Sequence, residues 1–318
     1  MSKRKIYFRA DAGYGIGYGH FIRTLALADM LRNEFECTFF TSSPTPYQIG
    51  ELEKVCNYIS LNENTKFKDF LTYLNGDEIV VLDNYFYTTE YQRDIKNKGC
   101  KLVCIDEMPT KRFEVDILIC PDPYSRKDFD ISDNALFLSG LEWNILRSPF
   151  LTRTKESLNS NIRDVIIMMG GEDPYNINER ILNYLLKNTV WNFNVVCNRK
   201  QKEFLHFNYR IKKYSKLCAD DLAEIYYKSD FGIFPASNVC IEALAMKLPI
   251  SIGYYAENQH YLYNYLTRNF KIIGLGNLLD SDLERRLDSL FLNKLTFNNL
   301  SIKFSSQKDN VLNIFSKL

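Results

Sequence analysis

Short apolar runs rich in β-branched and aromatic residues alternate along the whole chain with stretches of helical period, and each run stops at Gly, Asp, Asn or Pro. That alternation specifies parallel strands joined by crossover helices. A parallel pair cannot be closed by a tight hairpin, and a strand buried on both faces must be apolar throughout. In the first half the predicted strands are KIYFRA (5–10), ECTFFT (36–41), EIVVLD (78–83), KLVCID (101–106) and DILIC (116–120). In the second half they are RDVIIMM (163–169), NFNVVC (192–197), DFGIFPA (230–236), PISIGY (249–254) and KIIGLG (271–276). Between the two sets lies LRSPFLTRTKESLNSN (146–161), a polar stretch with a proline and no apolar period, which reads as a linker. The expectation is an α/β protein of two Rossmann-like domains, residues 1–148 and 163–318, joined by a linker at 149–162. Val311, Leu312, Ile314, Phe315 and Leu318 recur at helical spacing, so a last helix is expected to pack back across the junction.

A chain of 318 residues can bury two cores. Its 46% hydrophobic and 25% charged fractions exclude disordered, collagen-like and coiled-coil classes. Forty basic residues against 39 acidic ones leave a formal charge of +1, which removes the electrostatic case for generic nucleic-acid or anionic-membrane binding. Cys37, Cys104, Cys120 and Cys197 sit inside apolar runs and read as buried small hydrophobes of a reducing compartment. Cys100 and Cys104 form no second pair at zinc-like spacing, and the three histidines are far apart, so no metal site is expected. The N-terminus turns polar within a few residues, and no run approaches the about 18 apolar residues of a membrane span. A cytoplasmic protein with no stable membrane insertion, favoured as a monomer, is the expected state.

In an open α/β sheet ligands bind beyond the carboxyl ends of the strands, so the residues just after each run are the informative ones. Asp11, Asp83 with Asn84 and Tyr85, Asp106 with Glu107, and Asp122 occupy such positions, where short polar side chains also close turns and cap helices. The strongest local signal follows the first strand. There DAGYGIGYGH leads into a helix from about Phe21 to Asn33, with Phe21, Leu25, Ala28 and Leu31 along one side. Gly13, Gly15, Gly17 and Gly19 alternate, which lets backbone approach a ligand closely, and the helix beyond supplies free N–H groups for an anion. The spacing is not the dinucleotide fingerprint, and the second strand ends in Thr41-Ser42-Ser43 rather than a ribose-binding acid, which argues against NAD. His20 falls at the helix N-terminus, where the positive dipole end disfavours imidazolium, so a neutral ring able to accept a proton is expected. Arg23, one turn on, is expected to contact an anionic substrate or to pair with Asp11 or another acid.

The second half offers two further helix starts. Gly170-Gly171-Glu172-Asp173-Pro174 follows one strand; Ser237 and Asn238 follow another and open a helix carrying Glu242. Both are candidates to cradle phosphate through backbone N–H groups, and Ser237 would equally serve as an ordinary cap. Glu242 suits ribose hydroxyls better than phosphate. A third polar loop, Gly253 to Gln259, carries Asn258 and Gln259.

Taken in collinear order, FRADAGYGIGYGHFIRTLALA, LDNYFY, the IDE segment, G-x-x-W-x-x-L-R (140–147), IMMGGEDP, PASNVCIEALAMKLP and the Asn258-Gln259 pair resemble the nucleotide-sugar hydrolases of pseudaminic acid biosynthesis. That family shares the two-domain glycosyltransferase-B (GT-B) architecture with the UDP-GlcNAc transferase of peptidoglycan assembly. The resemblance implies removal of UDP from UDP-2,4-diacetamido-2,4,6-trideoxy-β-L-altropyranose by water, with no metal or cofactor. It implies that His20 is the base, that Tyr85 and Asn258 lie near the sugar, and that Glu242 holds the ribose. Gly170, Gly171, Ser237 and Asn238 would face the diphosphate, while Asp11, Gly17, Gly19, Arg23, Asp83 and Gln259 would line the substrate. Three positions depart from the family pattern. Glu172 stands where Ser or Thr is usual, Asn84 where a histidine is often found before the tyrosine, and Trp143 where tyrosine is common.

One base suffices for such a reaction, because a diphosphate leaves readily without the carboxylic acid that a glycosidase supplies to its leaving group. Water between base and anomeric carbon implies inversion. Two rival classes share the scaffold: a glycosyltransferase moving the sugar to a hydroxyl acceptor, and a non-catalytic nucleotide-sugar binding protein. The absence of a long basic amphipathic helix or apolar loop from the first half favours the hydrolase over a membrane-associated transferase.

Overall fold

The computed structural model describes residues 3–13, 16–156, 161–170, 173–197, 208–270, 272–292 and 304–318. They form two compact units, one of residues up to Leu146 and the other from Arg147 onward, and the terminal residues from Phe304 group with the first. Each unit is built on one parallel sheet.

The first sheet contains β1 (Lys5–Arg9), β2 (Glu36–Ser42), β3 (Asn57–Leu61), β4 (Ile79–Leu82), β5 (Lys101–Ile105), β6 (Ile117–Cys120) and β7 (Leu136–Ser139) in the order β3-β2-β1-β4-β5-β6-β7. Every pairing is parallel. The chain winds outward from β1 to one edge, then returns to place β4 on the other side of β1. The gap between the carboxyl ends of β1 and β4 is therefore the topological switch point, where such sheets bind ligands. The second sheet holds β8 (Asp164–Met168), β9 (Asn192–Val196), β10 (Ile211–Tyr214), β11 (Phe231–Pro235), β12 (Ile250–Tyr254) and β13 (Ile273–Asn277), in the order β10-β9-β8-β11-β12-β13. Its switch point lies between β8 and β11.

Central strands are apolar because helices cover both faces: all four residues of β4 and of β6 are buried, as are all five of β11. Three strands escape the sequence pattern, β3 (NYISL), β7 (LFLS) and β10 (IKKY), and all three are sheet edges. An edge strand is half covered and carries polar residues on its open side, which dilutes the apolar run that announces a central strand.

Helix α1 (Gly19–Leu31) starts two residues before the sequence expectation and buries Phe21, Leu25, Ala28 and Leu31 as that reading requires. It also buries Thr24, Leu27 and Met30, because the last helix, Gln307–Phe315, packs on it with Val311 and Phe315. Gln307 pins that helix to its own unit: its Nε2 donates to Asn144 O (2.7 Å) and Glu142 O (3.1 Å), and its Oε1 accepts from Leu146 N (2.9 Å).

The stretch read as a linker is in part structured. Ser148–Thr152 is a short helix with proline in its first turn, where a missing N–H costs nothing. Phe150 from this helix is wholly buried, its ring 5.5 Å from that of Tyr226 and 4.8 Å from the Arg147 guanidinium. One large aromatic anchors a segment whose few other apolar residues follow no helical or strand spacing, so no period marks it. Residues 157–160 of that stretch lie outside the described part of the chain. Cys37, Cys104, Cys120 and Cys197 are all buried.

Candidate active site

Four acids predicted at strand ends in the first unit are buried, and the sheet order decides what each one meets. Arg9, the last residue of β1, is fully buried and grips Asp11 with two nitrogens, one of them at 2.9 Å. Asp11 also accepts from Ser42 N at the end of β2 (2.8 Å) and pairs with Lys66 (3.0 Å). Burial alone would raise this carboxyl, but the Arg9 hydrogen bonds and charge outweigh it and hold the group down at about 2. Asn84 stitches β1 to β4 across the switch point, its Oδ1 accepting from Asp11 N (2.8 Å) and its Nδ2 donating to Asp11 O (3.3 Å). The residue that departs from the family pattern thus ties backbone to backbone.

Beside this tie, Asp83 emerges from β4 with no exposed surface. Its two oxygens accept four hydrogen bonds, all from α1: His20 Nδ1 (2.7 Å), Arg23 Nε (2.7 Å), Arg23 Nη2 (2.7 Å) and Thr24 Oγ1 (2.8 Å). Burial would push the Asp83 carboxyl up, and the charges of Arg23 and His20 with their hydrogen bonds more than reverse that, so it is held below the usual carboxylate range. Arg23 extends the network, its Nη1 donating to Glu107 (3.0 Å), which follows β5. Glu107 in turn accepts from the Tyr85 hydroxyl. The circuit closes on itself, since the Tyr85 ring stands edge-on to the His20 ring at 4.6 Å.

The chemical consequence lies in the imidazole. An ionised Asp83 at 2.7 Å favours a proton on Nδ1, so that the neutral ring has its lone pair on Nε2; Arg23 Nη2, which can only donate, stands further from the same nitrogen at 3.2 Å. With the ring neutral, His20, Arg23, Asp83 and Glu107 together carry one net negative charge. A proton arriving at Nε2 therefore enters a cluster that it neutralises. Orientation by a carboxylate thus adds to the helix-start position read from sequence. The ring is 8% exposed, and Asp83, Arg23 and the Tyr85 ring stand against it.

Of the residues expected at the substrate, Asp11 is held by Arg9, Lys66 and Ser42 N, and Asp83 by His20, Arg23 and Thr24. Arg23 takes the expected alternative of pairing with an acid, here Asp83 and Glu107, because β4 and β5 lie beside the start of α1. The glycines fare differently. Gly13 and Gly17 close a tight loop by paired backbone hydrogen bonds, and Gly17 sits at φ +77°, a left-handed conformation that favours glycine. No atom lies within 4 Å of where a Cβ at Gly17 or Gly19 would stand. The first turn of α1 has neither a side-chain cap nor an acid, and its leading N–H groups have no partner among the described residues. Gly15 lies outside the described residues.

In the second unit the two helix starts are not equivalent. Asp173, 2% exposed, accepts from Ile177 N (2.8 Å) and Asn178 N (2.9 Å), capping the helix Ile177–Asn188 from within. Two of its leading N–H groups are therefore already used by Asp173. Gly170 has φ +83° and lies beside the Tyr255 hydroxyl, which donates to Met169 O (2.9 Å); Gly171 and Glu172 lie outside the described residues. At the other start, Ser237 precedes the helix Asn238–Ala245 without capping it through its side chain; Ser237 N donates to Pro235 O (2.9 Å) and Cys240 N to Ser237 O (2.9 Å), while the Asn238 N–H has no partner among the described residues. Glu242, 3% exposed, is held by Arg147 through two parallel hydrogen bonds of 2.8 and 2.9 Å. Gln259 is buried and accepts from Tyr255 N (3.0 Å), shaping its own loop, while Asn258 is exposed.

Arg9, Thr24, Glu107 and Arg147 are working members of these networks that the sequence reading does not assign. Glu107 carries a signal, its place after a strand, and Arg147 closes the G-x-x-W-x-x-L-R motif. Arg9 and Thr24 carry none, since each acquires its role from a neighbouring strand. Among the described residues no three His, Cys, Asp or Glu side chains converge as a metal site, and no helix is long and apolar enough to cross a membrane.

Two Rossmann-like α/β units on parallel sheets of seven and six strands define the GT-B fold class. Solved structures of that shape include Acinetobacter baumannii MurG (TM-score 0.62, 11% identity, 99% of this chain and 100% of that one) and the UDP-GlcNAc 2-epimerase from Methanocaldococcus jannaschii (TM-score 0.61, 9% identity, 99% and 100%). By sequence the chain is similar to an uncharacterized protein of Methanocaldococcus jannaschii, 28% identical over 279 residues, 82% of this chain and 57% of that protein. It is also 25% identical over 278 residues to the UDP-2,4-diacetamido-2,4,6-trideoxy-β-L-altropyranose hydrolase of Campylobacter jejuni, 83% of this chain and 96% of the relative. The chain thus spans little more than half of the archaeal relative's length. No family model matches.

Proposed function

We propose that the chain is a UDP-sugar hydrolase that transfers a sugar from UDP to water, with the diacetamido-trideoxy-altropyranose named in the Campylobacter relative as its substrate. The observation that carries this reading is the His20–Asp83 pair, in which Nδ1 stands 2.7 Å from a carboxylate oxygen, so that the neutral ring with its proton on Nδ1 has its lone pair on Nε2. Nε2 takes a proton from water as the water oxygen bonds to the anomeric carbon. The bond from that carbon to the β-phosphate oxygen breaks at the same time, and its electron pair leaves with UDP. Base catalysis of this kind contributes about 10²–10⁴-fold. The configuration at the anomeric carbon inverts.

In this reading Tyr85 and Asn258 contact the sugar. The N–H groups of Gly19 and Asn238, neither with a partner among the described residues, stabilise the negative charge of the diphosphate, and Gly17 and Gly170 let backbone approach it. Glu242, braced by Arg147, keeps one lone pair on each oxygen for the ribose hydroxyls. The test is phosphorus NMR with a panel of UDP-sugars, with and without hydroxyl acceptors. UDP should appear without any acceptor, and His20→Asn should abolish turnover while UDP affinity stays within about threefold. UDP release that requires an acceptor would make the protein a transferase; binding without turnover would make it a nucleotide-sugar binding protein.

A further inference from the structure

One acid at the end of the first sheet takes no part in the circuit around His20. Asp122 follows β6 and is 5% exposed. Its backbone is firmly placed, the carbonyl accepting from Tyr124 N (2.8 Å) and Ser139 Oγ (3.0 Å), with Cys120 Sγ at 3.2 Å. Its carboxyl group, by contrast, has no hydrogen-bond or ion-pair partner among the described residues. Its oxygens keep a little contact with solvent, and a nearly buried carboxyl left without a protein partner invites a functional reason.

Its neighbourhood supplies one. β5 and β6 lie side by side with Ile105 opposite Ile119, and Asp106 N donates to Ile119 O (3.1 Å). Glu107 and Asp122 therefore leave the same edge of the sheet on adjacent strands, and Glu107 is the acid that joins Tyr85 to Arg23. We propose that Asp122 is a sugar-recognition residue of this site, its carboxyl reserved for a hydrogen bond with an acceptor oxygen of the bound sugar. The charged and titratable groups around it are Glu107 from the turn after β5, Arg23 from α1 and Cys120 on its own strand. Burial first, and the Glu107 charge second, push its carboxyl up to about 8 against a smaller opposing effect of Arg23. It is thus a proton donor at neutral pH, suited to the carbonyl of an acylamino substituent or to a sugar hydroxyl oxygen.

This proposal rests on the assignment of the sugar to the His20 site, and its test separates the two. Affinities for UDP and for UDP-2,4-diacetamido-2,4,6-trideoxy-β-L-altropyranose are measured by calorimetry on the full chain carrying Asp122, Asp122→Ala or Asp122→Asn, each with His20→Asn to prevent turnover, and KM is followed from pH 6 to 9 in the chains that keep His20. UDP affinity is expected to stay within about twofold in all three. The extra affinity contributed by the sugar should fall about fivefold to tenfold in Asp122→Ala and be largely restored in Asp122→Asn, whose amide still donates. Wild-type KM should rise above about pH 8, as the donor ionises, and the Asn variant should lack that rise. An unchanged sugar contribution in Asp122→Ala, or the same alkaline rise in Asp122→Asn, would overturn the proposal; the second criterion holds even where the Ala variant fails to fold. A wild-type protein that binds the UDP-sugar through Asp122 but releases no UDP would remove the hydrolase reading and leave this one standing.

Discussion

Replacing Asp83 by asparagine changes one oxygen to an NH₂ group at a position with no exposed surface and no room to rearrange. All four groups facing the carboxylate donate: His20 Nδ1, two nitrogens of Arg23 and the Thr24 hydroxyl. In one amide orientation the NH₂ opposes Arg23 Nε and Thr24, and the threonine hydroxyl can turn to accept. In the other it opposes Arg23 Nη2 and His20 Nδ1, and the imidazole can accept only by moving its proton to Nε2, which removes the base. Either way the Arg23 guanidinium loses half of a buried partner, leaving Glu107 to carry the charge. Breaking a buried ion pair on one side costs about 3–5 kcal/mol, at the low end here because the amide keeps one oxygen. Loss of an oriented base costs about 10²–10⁴ in kcat. Urea unfolding gives the first number and initial rates of UDP release the second; the tautomer is read directly from imidazole nitrogen NMR shifts. A variant within about threefold of wild type in kcat, with unchanged stability, would refute the claim that Asp83 prepares His20.

Asp122→Asn should also stabilise the protein in a pH-dependent way. The wild-type carboxyl ionises at about 8 when folded against an ordinary value of 3.8, so the folded state holds an extra proton between those values and loses stability as pH rises through them. The variant escapes that loss. Its advantage in urea should be absent near pH 4 and reach a few kcal/mol by pH 8, because each tenfold difference in acidity between the folded and unfolded chain is worth about 1.4 kcal/mol. An equal advantage at both pH values would show that the carboxyl is not the cause. Phe150→Ala should cost about 3–5 kcal/mol in urea unfolding, the range for emptying a fully buried aromatic site, whereas a change below about 1 kcal/mol would mean that the segment is the passive linker its composition suggests.

What can be read in the sequence follows from how much each feature depends on its own residues. EIVVLD and DFGIFPA announce themselves because a central strand is apolar on both faces whatever its neighbours are. NYISL and IKKY do not, since an edge strand owes its place to a single partner. The same division runs through the site. His20 is visible because glycines and a helix start flank it locally. Arg23 is visible, with pairing to an acid among its expected roles, but which acids it meets is not, for Asp83 and Glu107 come from strands 60 and 84 residues away, brought beside α1 only by the sheet order. Likewise Asp173 and Ser237 both look like caps in a sequence, and only the structure shows that Asp173 closes its helix and the Ser237 side chain does not. Phe150 shows the limit of periodicity, since one buried ring can seat a helix that has no apolar pattern.

The central claim is that water, activated at His20, attacks the anomeric carbon. The most direct measurement is hydrolysis of the UDP-sugar in water enriched with oxygen-18, with phosphorus and proton NMR at early times. The account predicts label on the anomeric hydroxyl of the released sugar, none in UDP, and an inverted anomer before mutarotation. Label in the β-phosphate of UDP, a retained anomer, or no UDP without an added acceptor would contradict it.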